Sequence, residues 1–254
     1  MQQTHHESDW EFHFRSIDNK PGSIAVDLGL AKVAPLSEQP NLVQVSVKMV
    51  DPRPDGLSSL QETIVLQSLE DDLEEVLRTT CQATYAGRLT SNGHRKIYFY
   101  MGEPNGYAES VQRVMQNYNG HAYTLKLVKD KDWSRYFNFL YPEPEQLQSI
   151  QNRKVLEELE KNGDDLSKER QVDHWVYFKT EADRTAFVES IANENYTVIT
   201  SDYLEASEDY PFRLHISRTD KLDQLNIDRT VLHLRRLALK HHGDYDGWET
   251  SLEV

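Results

Sequence analysis

Two places in the second half of this 254-residue sequence set imidazoles beside carboxylates, the pairing that moves protons near neutral pH or ligates a metal. The first is Asp173-His174, where a carboxylate next to an imidazole could orient and charge it. Neighbours on a strand point to opposite faces, so a structural or partner-contacting pair competes with a general base there. The second is His241-His242 with Asp244 and Asp246, which offers nitrogen and oxygen donors. Two histidines in a helix's last turn also suit its C-terminal dipole. On that reading there is no metal and no cofactor, and His241, His242 and Asp244 are only the nearest approach to a donor set. Tyr245-Asp246-Gly247-Trp248 is either a turn whose rings fold back on a sheet or an exposed anchor for a protein partner.

Other chemistry is thin. Cys81 is the single cysteine, which excludes an internal disulfide and a cysteine zinc cluster, and its place just past a helix end gives no reason for a nucleophile. The sequence has no phosphate loop, no Gly-x-Ser-x-Gly elbow and no His-Glu-x-x-His helix. The aromatics of Lys96–Met101 could mimic an RNA-stacking platform, but 42 acidic against 28 basic residues give a charge of −14 and no flanking basic patch. Direct binding to a phosphate backbone is therefore disfavoured, whereas carboxylates offered to a basic protein partner are not. No apolar run approaches the roughly 18 residues of a membrane span, and the first residues lack a signal-peptide core. The expectation is a soluble, cytoplasmic protein.

These residues need elements to position them. Leu140–Gln146 contains two prolines and two glutamates and stops the patterning on both sides, so it reads as a hinge between domains at 1–141 and 146–254. In the first half, Trp10–Ile17, Ser23–Val33 and Leu42–Val50 alternate as strands and are expected to form a three-strand meander. Ser59 with Glu62 has capping-box spacing and opens a helix to about Thr80. Its apolar stripe runs from Ile64 to Leu77, with Glu70, Asp71, Asp72, Glu74 and Glu75 facing water. Asn92-Gly93 joins strands Tyr85–Thr90 and Lys96–Met101 in a tight hairpin. A helix over 107–118 and a strand over 123–128 complete a ferredoxin-like βαββαβ plan with two strands added in front.

The second half repeats the plan after a helix over Gln146–Lys161 that Gly163 closes. Val172–Lys179 is a strand, and Thr180 with Asp183 caps a helix. Tyr196–Tyr203 and Phe212–Ser217 are strands around a turn at 207–211. Asp220 is the expected cap of a helix over 221–241, ended by Gly243 with Leu225 turned inward, and 248–254 offers the fourth strand. The fold class is α+β, two tandem ferredoxin-like domains with antiparallel sheets.

Gly163-Asp164-Asp165, Arg170 to Phe178 and Gly243 to Thr250 resemble, over about 150–252, the regulator of ribonuclease activity B family. That resemblance implies a ferredoxin-like fold and a protein inhibitor that binds an endoribonuclease rather than cleaving RNA. Trp10-Glu11-Phe12, Asp55-Gly56-Leu57, Tyr98-Phe99-Tyr100 and Trp133-Ser134-Arg135-Tyr136 resemble domain-of-unknown-function family 695, which implies no activity. The expected role is a non-enzymatic regulator whose partner-binding surface includes Asp164, Asp165, Asp173, His174, Asp244, Tyr245, Asp246 and Trp248. Two rivals stand beside it. A hydrolase would bring His174, His241 or His242 together with aspartates, and a small-ligand module would use a groove lined by Trp10, Trp133 and Tyr136.

Overall fold

A computed structural model describes residues 6–205 and 209–253. It divides into two compact units, residues up to Gln146 and residues from Leu147 onward, and each is an α+β domain with one antiparallel sheet.

The first domain runs β1 (Trp10–Ile17), β2 (Lys20–Asp27), a 3-10 turn at Leu28–Lys32, β3 (Asn41–Lys48), α1 (Leu60–Cys81), β4 (Thr84–Ser91), β5 (His94–Met101), α2 (Tyr107–Met115) and β6 (Tyr123–Lys129). The strand order is β1-β2-β4-β5-β3-β6. Its last four strands, numbered from β3, stand in the 4-1-3-2 order of a ferredoxin-like sheet. The expected three-strand meander is not formed. β2 pairs with β4, and β3 lies between β5 and β6, so the two leading strands extend the sheet as a hairpin on its far edge. The strand expected over Ser23–Val33 ends at Asp27, whose carboxylate accepts from the Gly29 N–H and turns the chain into the 3-10 segment.

Both faces of this sheet are covered. Leu66, Leu69, Leu73 and Leu77 of α1, with Val111 and Val114 of α2, pack on Val43, Val45, Val47, Ile97 and Phe99. On the opposite face Trp133, Tyr136 and Leu140 pack on Ile24, Val26, Leu42, Tyr98 and Tyr100. Alternation along β5 thus sends Phe99 one way and Tyr98 and Tyr100 the other. Asn92 (φ 48°) and Gly93 (φ 75°) make the β4–β5 hairpin, as their sequence predicts. Ser59 caps α1 by accepting from the Glu62 N–H at 3.2 Å, but the capping box is only half made. Glu62 reaches instead to the Val50 and Asp51 N–H groups and to His121 Nε2 at 2.8 Å. Glu70 is also not the solvated residue expected. It is 5% exposed and lies against Arg88 and Arg95, while Ile64 faces outward.

In the second domain α3 (Pro144–Lys161) leads into β7 (Arg170–Phe178), α4 (Glu181–Ser190), β8 (Thr197–Tyr203), β9 (Phe212–Asp220), α5 (Gln224–Lys240) and β10 (Gly243–Thr250). The strand order β10-β7-β9-β8 is again 4-1-3-2. α3 starts two residues before its expected origin because proline is well suited to a helix's first turn, where its missing N–H is no loss. The last helix is capped by Asp223, which accepts from the Asn226 N–H at 2.9 Å, rather than by Asp220. Asp220 still belongs to β9, and Leu225 is exposed. Gly243 opens the final strand instead of closing the helix. A Cβ there would lie 2.6 Å from the Phe178 ring. That strand ends at Thr250, and Val254, like residues 207 and 208 of the expected turn, lies outside the described residues.

Candidate functional site

The second domain has two unlike faces. Val172, Val176 and Phe178 of β7 and Leu214 and Ile216 of β9 pack against Leu156, Phe187, Ile227, Val231 and Leu234, so all three helices lie on one side. The intervening residues Asp173, Trp175 and Tyr177 face the other side, half-exposed, where among the described residues no helix of this domain packs. Register places His215 opposite Trp175, Arg213 opposite Tyr177, and Asp244 and Glu249 of β10 beside Tyr177 and Asp173. The indole of Trp175 stacks on the His215 ring at 4.5 Å and 14°. His215 Nε2 in turn contacts Asp173 Oδ1 at 2.9 Å. Burial opposes ionisation of Asp173, but hydrogen bonds from Gln171, His215 and Ser217 outweigh it and hold the carboxyl below its ordinary range. Arg213 donates to Asp202 of β8 at 2.7 Å. The result is an aromatic centre bordered by the carboxylates of Asp173, Asp202, Asp244 and Glu249, of which Asp173 is paired with His215 and Asp202 with Arg213.

Several sequence-predicted residues lie elsewhere. Asp173 and His174 point to opposite faces. His174 is fully buried among the helices, its Nδ1 2.8 Å from the Tyr245 hydroxyl, and burial followed by the charge of Arg218 lowers its pKa to about 3. Tyr245 is buried with it, and Trp248 donates its indole N–H to Asn152 Oδ1 at 3.0 Å on the helical side. Of the two readings of Tyr245–Trp248, the folded-back one holds. Asp164 is also internal: its side chain is 0% exposed and accepts from Arg170 at 2.6 Å and from the Glu253 N–H at 2.8 Å. The hydrogen bond from Arg170 is the main reason its pKa is lowered. The side chains of Asp164, His174 and Tyr245 are thus buried, and that of Trp248 is partly buried. Asp165, Asp244 and Asp246 are exposed, Asp165 accepting from Ser167 and Asp246 forming the bulge residue in β10.

Asp164→Ala is accordingly expected to cost the second domain about 2 kcal/mol, because Arg170 loses a charged acceptor. A chemical denaturation curve indistinguishable from wild type would place Asp164 back on the surface.

The proposed catalytic and metal sets do not assemble. His242 Nδ1 contacts Asp183 Oδ1 at 3.0 Å, and His241 lies edge-on to Phe187. Gly243 pairs with Phe178 and Trp248 with His174, so the two histidine sites sit about four strand residues, roughly 13 Å, apart. Among the described residues no group of three His, Cys, Asp or Glu side chains could hold a metal ion. The imidazoles on which the hydrolase reading relies therefore do not converge on one pocket. Trp133 and Tyr136 are fully buried in the first domain's core, so they cannot line the groove of the ligand-module reading either.

Sequence reasoning missed Trp175, Tyr177, Arg213 and His215. The signal was present: on β7, residues two and four after Asp173 share its face.

Residues 8–141, more than half of the chain, match the family described as a family of unknown function, DUF695. The chain belongs to that family. Residues 149–250 match the family regulator of ribonuclease activity B, and these spans agree with both resemblances read from the sequence. No curated protein matches the chain. Among solved structures, an unknown protein from Galdieria sulphuraria is 10% identical, covering 85% of this chain and all of its own, with a TM-score of 0.25. A "putative glycine cleavage system transcriptional repressor" is 9% identical, covering 83% of this chain and 98% of its own, with a TM-score of 0.24. Neither likeness carries an argument at those scores. Among the described residues no helix is long and apolar enough to cross a membrane.

Proposed function

We propose that this protein is a non-catalytic, cytoplasmic regulator of ribonuclease activity, an inhibitor that binds an endoribonuclease through its second domain. The match of residues 149–250 to regulator of ribonuclease activity B carries the reading. The surface we assign to it is the helix-free sheet face, with Trp175 and Tyr177 as anchors and Asp173, Asp244 and Glu249, with nearby Asp246, as its acidic surround. Such a face would occupy a basic RNA-binding region of the enzyme and exclude RNA by competition, its encounter speeded by opposite charge. In the first domain the central strands are covered on both sides, and the exposed aromatics Trp10, Phe12 and Phe14 of β1 have no comparable family match behind them.

The test purifies ribonucleases retained from native lysate by the full chain and measures their RNA cleavage with the protein added back. A retained endoribonuclease that slows in a dose-dependent way is expected. Trp175→Ala should weaken its binding by about 2 kcal/mol, near thirtyfold, and Asp244→Lys should make binding slower and less salt-sensitive. Retention of no ribonuclease, or equal binding by Trp175→Ala, would overturn the assignment.

A further inference from the structure

The first domain holds a cleft unrelated to that face. It opens between β3, the edge strand β6 and the segment at 134–139, has a volume of about 390 Å³, and is lined by Leu42, Gln44, Lys126, Lys129, Arg135 and Phe139. In a chain of charge −14, two cations on one concavity, Lys126 beside Gln44 on the cleft face of β6 and Arg135 from the segment opposite, run against the overall field. The carboxylate that shares the cleft, Asp130, is already engaged: it accepts from the Tyr100 hydroxyl at 2.6 Å and from the Ser134 and Arg135 N–H groups at 2.9 Å. Neither of these two cations forms an ion pair among the described residues. Arg135 instead lies over the Phe139 ring, 4.7 Å from its centroid, which limits the guanidinium's freedom while leaving its hydrogen-bonding fork unsaturated.

We infer that this cleft binds a small phosphate-bearing molecule, with Lys126 and Arg135 holding the phosphate and Leu42 and Phe139 receiving its less polar part. The planar fork of arginine suits a phosphate bidentately, and lysine adds point charge. The volume falls in the range of small-molecule sites, about 300–1,000 Å³. A nucleic-acid strand would need a track of cations beyond this one concavity, and the chain's net charge opposes a polyanion. The inference stands apart from the ribonuclease reading, because it uses another domain and no shared residue.

Amide NMR of the full chain, titrated with pyrophosphate at constant ionic strength, tests it. Saturable shifts at Gln44 and at residues 126–139 are expected in wild type. A folded Lys126→Ala/Arg135→Ala variant should bind at least about tenfold more weakly, as loss of two charged donors requires. No saturable shift in wild type, or equal shifts in the variant, would overturn the proposal. So would a single-stranded RNA that binds these residues where pyrophosphate does not, since that would make the cleft a nucleic-acid site.

Discussion

Replacing Glu70 with alanine is expected to destabilise the first domain by roughly 3–5 kcal/mol, the scale for breaking a buried ion pair by removing one partner. Glu70 is 5% exposed and accepts from Tyr85 Oη at 2.6 Å, Arg88 at 2.6 Å and Arg95 at 3.3 Å. The three donors do not suffer equally when it goes. The Arg88 side chain retains 29% exposure and can turn to water, but that of Arg95 is 4% exposed and keeps only Thr90 Oγ1, at 3.1 Å. Most of the loss should therefore come from a stranded Arg95 charge. A paired Glu70→Leu/Arg95→Leu variant separates this cause from lost packing. It should recover much of the stability, because an apolar replacement of a whole buried pair is often neutral or better. Hydrogen exchange resolved by domain reads the effect. If Glu70→Ala leaves protection of α1 and β4 within about 1 kcal/mol of wild type, the network is not a buried one.

The same residue shows where sequence reading ends. In α1 the run Glu70-Asp71-Asp72 looks like a solvated face, and Asp71 and Asp72 are exposed. Nothing local distinguishes Glu70, because its partners lie 18 and 25 residues away on strands that reach it only through sheet pairing. Features set by local physics were legible, among them the Asn92-Gly93 hairpin, the Ser59 cap and the alternation of β5 and β7. The βαββαβ order followed from them. The place of β1 and β2 did not, since an alternating strand specifies a buried face but not which neighbour it pairs with. The candidate surface divides along the same line. Trp175 and Tyr177 could have been placed beside Asp173 by period two alone. That Asp164 turns inward depends on Arg170, which also donates to the Asp165 and Ser251 carbonyls, a tertiary arrangement that residue spacing does not encode.

Acid should weaken the second domain before its carboxylates titrate, and His174 is the reason. Its folded pKa is about 3, below the unfolded value near 6.5, because burial penalises the imidazolium and the charge of Arg218 adds to the penalty. Asp173 pulls the other way, but on the strand's opposite face it does not touch the ring. The ring's polar contact is the neutral Tyr245 hydroxyl, and Nε2 has no protein partner. With the folded pKa depressed, the unfolded chain binds the extra proton first. Stability is thus fully present above about pH 6.5 and is lost as pH falls toward 3, by about 1.4 kcal/mol per pH unit and on the order of 5 kcal/mol in all. In the window from pH 6.5 to 5, Asp164 and Asp173, both held below the ordinary carboxylate range, stay ionised, and the variant below separates His174 from the domain's other histidines. His13, also lowered mainly by burial, titrates in the same direction but in the first domain, so the readout must again be resolved by domain. Denaturation at pH 6.5 and 5.0 with wild type beside His174→Phe gives the decision. The variant loses the Tyr245 contact at both pH values, so its absolute stability falls, but its dependence on pH across the window should flatten. A slope as steep in the variant as in wild type would mean that another group of the domain takes up the proton.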